Sequence, residues 1–250
     1  MSLAPANPEP THRTAIEPAA AIDWQVIDTV LLDMDGTLVD LNFDTVFWNE
    51  LLPTRYASTH GLSREATDAA FAAYITEVHG TLEYYCVDAW ARFTRLPVHR
   101  LKDELLHLIR FRPHSESLLQ RLQAAGKDVR IVTNAHYASI EIKQHALGIR
   151  DAVPHFYTAH DLGHAKESQG FWQALRTLHP FEPARTLLID DTEAVLDSGR
   201  MHGIACTLAV TTPDSSRPAR TPLRHTGIES FATLIATLPP AGASAGTREP

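Results

Sequence analysis

The chain has 250 residues, 44% hydrophobic and 21% charged, proportions of a globular protein with a sizeable core. Its formal net charge of −8, without any cluster of Lys and Arg, excludes nucleic-acid backbone as the main partner. Two distant cysteines, Cys86 and Cys206, exclude a disulfide framework and a cysteine-type zinc site, and no apolar run reaches the ~18 residues of a membrane span.

Residues 1–21 are rich in Pro and Ala without apolar periodicity, which predicts a disordered lead-in; residues 239–250 predict a tail of the same kind. The first strand is expected over Thr29–Leu32, and it ends abruptly in Asp33-Met34-Asp35-Gly36-Thr37. Residues i and i+2 of a strand share a face, so Asp33 and Asp35 leave the strand end together. Gly36 permits a turn whose backbone N–H groups crowd a small anion. Two acids beside an anion repel it unless a cation sits between them, so this run calls for Mg²⁺ as well as phosphate.

Residues 42–112 read as helical throughout, with elements over Phe43–Leu51, Ser63–His79, Leu82–Phe93 and Leu101–Arg110. An all-helical insertion that begins beside the first strand predicts a cap over the sheet edge, placed to choose substrates and exclude water. Strands are then expected over Asp128–Val132, Thr186–Ile189 and Ile204–Val210, with helices over Ser115–Ala125, Ser139–Leu147, Glu167–Leu178 and Thr192–His202. Each of these helices stops at a Gly or a His-Pro. Short apolar strands alternating with helices describe a Rossmann-like, doubly wound parallel α/β sheet, formed here by residues 22–41 and 113–238, with ligands outside the strands' carboxyl ends.

Three further positions complete a site at those strand ends. Thr133, followed by Asn134, can offer a hydroxyl and backbone N–H groups to phosphate oxygens. Lys166 follows a polar loop and is expected to start a helix, where the macrodipole disfavours a cation unless an anion is there to meet it. Asp190-Asp191 sets two adjacent carboxylates at the end of a buried strand, a repulsion that a cation relieves. The fourteen histidines are unspaced for a metal and read as surface residues, His136 excepted as a neighbour of Thr133.

Taken in order, Asp33-Met34-Asp35-Gly36-Thr37, Thr133, Lys166 and Asp190-Asp191 resemble the four motifs of the haloacid dehalogenase-like hydrolase superfamily. The resemblance spans nearly all of residues 24–210, helical cap included. Within that superfamily dehalogenases lack an acid at the position of Asp35, whereas phosphatases use it as proton donor. A finer resemblance is to its bacterial GMP/IMP nucleotidases. It is carried by Trp24-Gln25, the run Asp28 to Leu38, Asp40-Leu41, Phe43-Asp44 and Phe47-Trp48. Tyr85-Cys86 with Asp88 and Trp90, Thr133-Asn134-Ala135-His136, Lys166-Glu167, and Ile189-Asp190-Asp191 with Glu193-Ala194 and Leu196-Asp197 extend it.

These resemblances imply that Asp33 attacks phosphorus to form an aspartyl-phosphate and that Asp35 protonates the leaving nucleoside oxygen. They place Mg²⁺ on the Asp33 carboxylate, the Asp35 carbonyl and Asp191, with Asp190 direct or through water. Phosphate would be held by Met34, Thr133, Asn134 and Lys166. Base recognition is expected from Asn42, Phe43, His79, Tyr84 and Tyr85, with Trp48 and Asn49 nearby. The expected partner is a small phosphate ester, a purine nucleotide, acted on by a cytoplasmic monomer or homodimer that engages neither nucleic acid nor membrane. A phosphatase for phosphoglycolate or a sugar phosphate, a phosphomutase, and a catalytically silent phosphate-binding scaffold are the alternatives.

Overall fold

Four consecutive apolar-facing residues make the first strand a buried one. In the computed structural model, which describes residues 22–221 and 223–240, β1 (Thr29–Leu32) is buried along its whole length. The expected disorder of residues 1–21 and of nearly all of 239–250 lies outside the described residues. Val30 and Leu32 face one layer of helices and Leu31 the other, as the two-residue period of a strand requires.

β1 sits inside a six-stranded sheet with β2 (Asp128–Thr133), β3 (His155–Thr158), β4 (Thr186–Asp190), β5 (Cys206–Val210) and β6 (Thr226–Ile228). The strand order is β3-β2-β1-β4-β5-β6 and every neighbouring pair is parallel, the doubly wound Rossmann-like arrangement expected from sequence. Two of these strands, β3 and β6, carry no sequence signal. β3 is the four residues His-Phe-Tyr-Thr, mostly half-buried, and β6 is Thr-Gly-Ile; both are edge strands that need no continuous apolar run.

Helices α7 (Ser115–Ala124), α8 (Tyr137–Leu147) and α12 (Phe231–Thr237) cover one face. Their Leu118, Leu122, Ile140, Phe231 and Leu234 pack with Val30, Leu32 and Ile131. The other face is covered by α10 (Gln169–Leu178) and α11 (Glu193–Met201), whose Phe171, Trp172, Leu175, Val195 and Leu196 meet Leu31, Val132 and Leu188. A short helix, α9 (Ala159–Leu162), follows β3 where a polar loop was expected.

Between β1 and α7 the chain is helical: α1 (Asn42–Val46), α2 (Leu52–His60), α3 (Arg64–Val78), α4 (Leu82–Tyr85), α5 (Val87–Thr94) and α6 (Val98–Lys102), then a 3₁₀ segment Asp103–Leu108. The helix expected to stop at Leu51 continues to His60 through a π-helical stretch, Phe47–Leu51. The wider turn there carries the chain past Pro53, which has no N–H to donate. Phe47, Leu52, Phe71, Val87, Trp90 and Val98 form a separate apolar core for this insertion.

The turn after β1 is fastened from below by Arg112, which is 6% exposed. Its guanidinium donates to the carbonyls of Thr37 (2.8 Å), Thr212 (3.1 Å) and Glu229 (3.4 Å), and it stacks 5.0 Å from the Phe231 ring. One cation therefore joins the loops after β1, β5 and β6. Arg112→Leu would strand the buried Thr37 carbonyl and remove the donor shared with the more accessible Thr212 and Glu229 carbonyls, so a loss of about 2–3 kcal/mol in urea-unfolding stability is expected. A change below about 1 kcal/mol would show that water replaces the guanidinium without penalty.

Candidate active site

The register Leu32↔Ile131 and Leu32↔Ile189 sets the carboxyl ends of β1, β2 and β4 level, which brings Asp33, Thr133 and Asp190 to one edge. Asp33 is 5% exposed and its backbone N–H still donates to Ile189 O at 3.0 Å. The Lys166 ammonium donates to Asp33 Oδ1, to Asp190 Oδ2 (2.7 Å) and to the Val132 carbonyl (3.2 Å). Asp191 accepts from Arg220 Nη2 at 2.9 Å, and Arg220 Nη1 also reaches the Asp191 carbonyl at 2.7 Å. Arg220, more than two hundred residues into the chain, carries no motif that would have marked it.

Lys166 does not begin a helix. It lies in the turn before α10, whose N-cap is Ser168, with Oγ accepting from Gly170 N at 3.2 Å. The macrodipole argument therefore does not apply; the two carboxylates hold this 2%-exposed cation. Its loop is fixed from Asn134, whose Oδ1 accepts from Lys166 N at 2.9 Å.

Carboxylate oxygens of Asp33, Asp190 and Asp191 all lie within 4.8 Å of one another, and the three residues are buried. Burial pushes the Asp33 carboxyl well above the usual range; Lys166 pulls it back, and Asp190 and Asp191 push it further up. Burial and then Asp190 raise Asp191 to about 6. Three buried acids faced by Lys166 and the half-exposed Arg220 form an oxygen-rich, negatively charged set, the donor chemistry that a hard divalent cation takes.

The Asp35 side chain is not among them. Its carboxylate pairs with the ammonium of Lys143, which also donates to Asp44 Oδ2 at 2.7 Å. The two acids, ordinarily alike, are driven apart. Burial raises Asp35 and Lys143 reverses only part of that rise, whereas for Asp44 the pull of Lys143 and Lys102 exceeds the effect of burial and lowers it. The paired acids thus differ in how readily they hold a proton, Asp35 more and Asp44 less. Sequence inspection missed Lys143, although its position three residues after the buried Ile140 sets it on the inward face of α8.

Beside these groups opens a cleft of about 640 Å³. Asp33, Asp35, Thr133, Asn134, Lys166, Asp190 and Asp191 line its floor, and His79, Tyr84, Tyr85, Trp48 and Asn49 line its cap side. Met34 is 0% exposed and its side chain packs in the sheet core, so only its backbone stays at the strand end. Two expected specificity residues are displaced. Asn42 does not line the cleft, and Phe43 is 0% exposed, its ring 5.1 Å from Lys102 Nζ and 5.5 Å from Lys143 Nζ. Around this helix the cleft is lined instead by Leu41, Asp44, Thr45, Trp48 and Asn49.

Glu167 spans both halves of the cleft: Asn134 Nδ2 donates to it at 3.0 Å from the sheet side, and the Tyr85 hydroxyl donates to it from α4. His136 is 8% exposed and caps α8 through Ala138 N at 3.3 Å, beside Thr133 as expected. The histidines are not uniformly superficial, however. His225 is 6% exposed, held between Thr207 Oγ1 (3.1 Å) and Asp197 Oδ1 (2.8 Å).

Comparison with known proteins identifies the family and the fold. The family model for haloacid dehalogenase-like hydrolases matches residues 27–203. Over 217 residues, 87% of this chain and 98% of the relative, the sequence is 34% identical to the GMP/IMP nucleotidase YrfG of Escherichia coli (strain K12), and equally to that of Shigella flexneri. In fold it resembles a HAD phosphatase from Thermococcus onnurineus (TM-score 0.69, 17% identity, 86% of this chain and 99% of that one). A putative beta-phosphoglucomutase from Thermotoga maritima is also similar (TM-score 0.61, 12% identity, 84% and 98% covered).

A cation held by this acid cluster would bind in a pH-dependent way. Asp191 has a folded pKa of about 6 against an ordinary 3.8, so between those values the folded state holds a proton that the unfolded state does not. Its contribution to metal-free stability therefore falls as pH rises through that window, and a cation bound to the ionised cluster restores it. Added Mg²⁺ is expected to raise Tm clearly at about pH 7.5, less at about pH 5, and little in Asp191→Asn. Equal shifts at both pH values in scanning fluorimetry would count against the cluster as the cation site.

Proposed function

The chain belongs to the haloacid dehalogenase-like hydrolase family and is a phosphoric monoester hydrolase; from that premise we propose that it hydrolyses purine 5′-nucleotides, GMP and IMP, with Mg²⁺ as cofactor. The observation that carries the substrate assignment is the extent of the 34% identity, which runs over 98% of a GMP/IMP nucleotidase and so includes the helical insertion that covers the cleft. The size and lining of that cleft support it. About 640 Å³ with Trp48, Phe71, Tyr84 and Trp90 in its wall suits a flat purine better than a two- or three-carbon phosphate ester.

In the proposed reaction one carboxylate oxygen of Asp33 attacks phosphorus as the bond to the nucleoside 5′-oxygen breaks. Asp35, set apart from the acid cluster by Lys143 and raised by burial, gives its proton to that departing oxygen. Water then attacks the phosphorus of the Asp33 acyl phosphate and yields its proton to Asp35, which releases inorganic phosphate and restores both carboxyls. Lys166, Thr133 and the backbone around Met34 and Asn134 hold the phosphoryl oxygens, where preorganised donors stabilise the transition state most. Asp33, Asp190, Asp191 and the Asp35 carbonyl would hold Mg²⁺, which when bound offsets the repulsion between an anionic nucleophile and an anionic ester.

Phosphate release should be followed on a panel of nucleotides, phosphoglycolate and sugar phosphates, with Mg²⁺ and with excess EDTA. GMP and IMP are expected to be the best substrates, and EDTA to abolish release. Preference for sugar phosphates or phosphoglycolate would overturn the nucleotidase assignment while leaving the hydrolase intact. Asp33→Asn is expected to lose at least about 10³-fold in turnover with the fold unchanged by circular dichroism, since the covalent route needs that oxygen.

A further inference from the structure

We propose that Lys143 is a positioning residue for proton transfer: it holds the Asp35 carboxylate apart from the Asp33, Asp190 and Asp191 cluster, with one oxygen directed to the substrate. The proposal rests on the proton-donor role given to Asp35 above. Lys143 lies on α8 with its side chain 0% exposed, and its ammonium bonds Asp35 Oδ1 and Asp44 Oδ2. A buried lysine at an inward helix position is a costly choice, because an apolar side chain of similar size packs there without desolvating a charge. The position is therefore explained by what the ammonium touches.

Asp33 and Asp35 leave the strand end two residues apart, and each has its own buried lysine. Lys166 draws Asp33 towards Asp190, whereas Lys143 draws Asp35 towards Asp44 on α1. Without Lys143 Asp35 loses its ion-pair partner, with Lys102 left as a more distant cation on that side, and its carboxylate is free to turn into the Asp33, Asp190 and Asp191 cluster. With Oδ1 occupied by Lys143, Oδ2 is the oxygen left to carry the proton into the cleft, which Asp35 lines with 21% of its side chain exposed.

The clamp is itself held from the cap side. Lys102 on α6 places its ammonium 3.5 Å from Asp44 Oδ1 and within 4.4–5.1 Å of the ring centroids of Phe43, Phe47 and Trp48. Asp44 is thus shared by two buried cations and keeps its charge, which fixes Lys143 from the side opposite Asp35. Two elements of the helical insertion, α1 and α6, thereby help to orient a carboxyl that belongs to the β1 turn.

The test separates positioning from simple structural support by the leaving group. A nucleoside 5′-oxygen needs a proton as it departs, whereas p-nitrophenolate leaves without one. Single-turnover leaving-group release is measured for GMP, or the best alkyl ester of the panel, and for p-nitrophenyl phosphate. The proteins compared are the full-length parent, Lys143→Met, Asp35→Asn and the double variant. Lys143→Met is expected to slow the alkyl ester at least ~30-fold and the aryl ester less than ~3-fold, and to add nothing further on the Asp35→Asn background. Lys143→Arg is expected to recover part of the loss.

Equal slowing of both esters by Lys143→Met, or a full additive loss on the Asp35→Asn background, would overturn the positioning role alone. If Asp35→Asn itself slows both esters equally, the proton-donor role falls and this proposal with it. Should Lys143→Met fail to fold, Lys143→Gln carries the same comparison.

Discussion

Mutual repulsion among buried carboxylates is the constraint on which this molecule is organised. Asp33, Asp190 and Asp191, all buried, and the half-buried Asp35 converge at one edge of a parallel sheet, where burial weakens the screening of their charges. Two buried lysines divide the charge. Lys166 sits between Asp33 and Asp190, and Lys143 sits between Asp35 and Asp44. The division leaves an excess of negative charge at the Asp33, Asp190 and Asp191 cluster, and sets the Asp35 carboxyl, two residues from Asp33, apart from it. The cation binding and the proton transfer proposed for this site both draw on that partition.

The sheet is what forces the convergence. β1 lies between β2 and β4, all three run the same way, and their register leaves the last residues level. Gly36, at φ +80°, turns the chain immediately after Asp35, and a Cβ there would stand 2.7 Å from Asp191 Cγ. The approach of the β1 turn to the end of β4 therefore depends on the absence of a side chain. Arg112 holds the far end of the same turn. Insertion of the helical segment directly after it brings Asp44 and Trp48 over the floor of the cleft, and α4 adds Tyr85 opposite Glu167.

Particular residues show how far the sequence could be read. The strand before Asp33 was readable because burial on both faces demands an unbroken apolar run, and the same logic found β2, β4 and β5. It failed at β3 and β6, edge strands with too little burial to constrain composition. Phe43 was expected to face the cleft and is buried instead, since the rotation of a helix about its axis is set by packing against its neighbours. Lys166 was expected at a helix start and instead precedes α10: its position beside Asp33 and Asp190 follows from long-range ion pairs.

The sequence by itself determined the identity of the central strands, the α/β class and the set of acids at the strand ends, because each depends on periodicity and on residues adjacent in the chain. Only the tertiary structure decided how the charges pair. Lys143 meets Asp35 across 108 positions and Lys166 meets Asp33 across 133, and no local pattern encodes a contact of that range. Two aspartates that the sequence presents as equivalent thus acquire different charge environments from two lysines brought to them by folding.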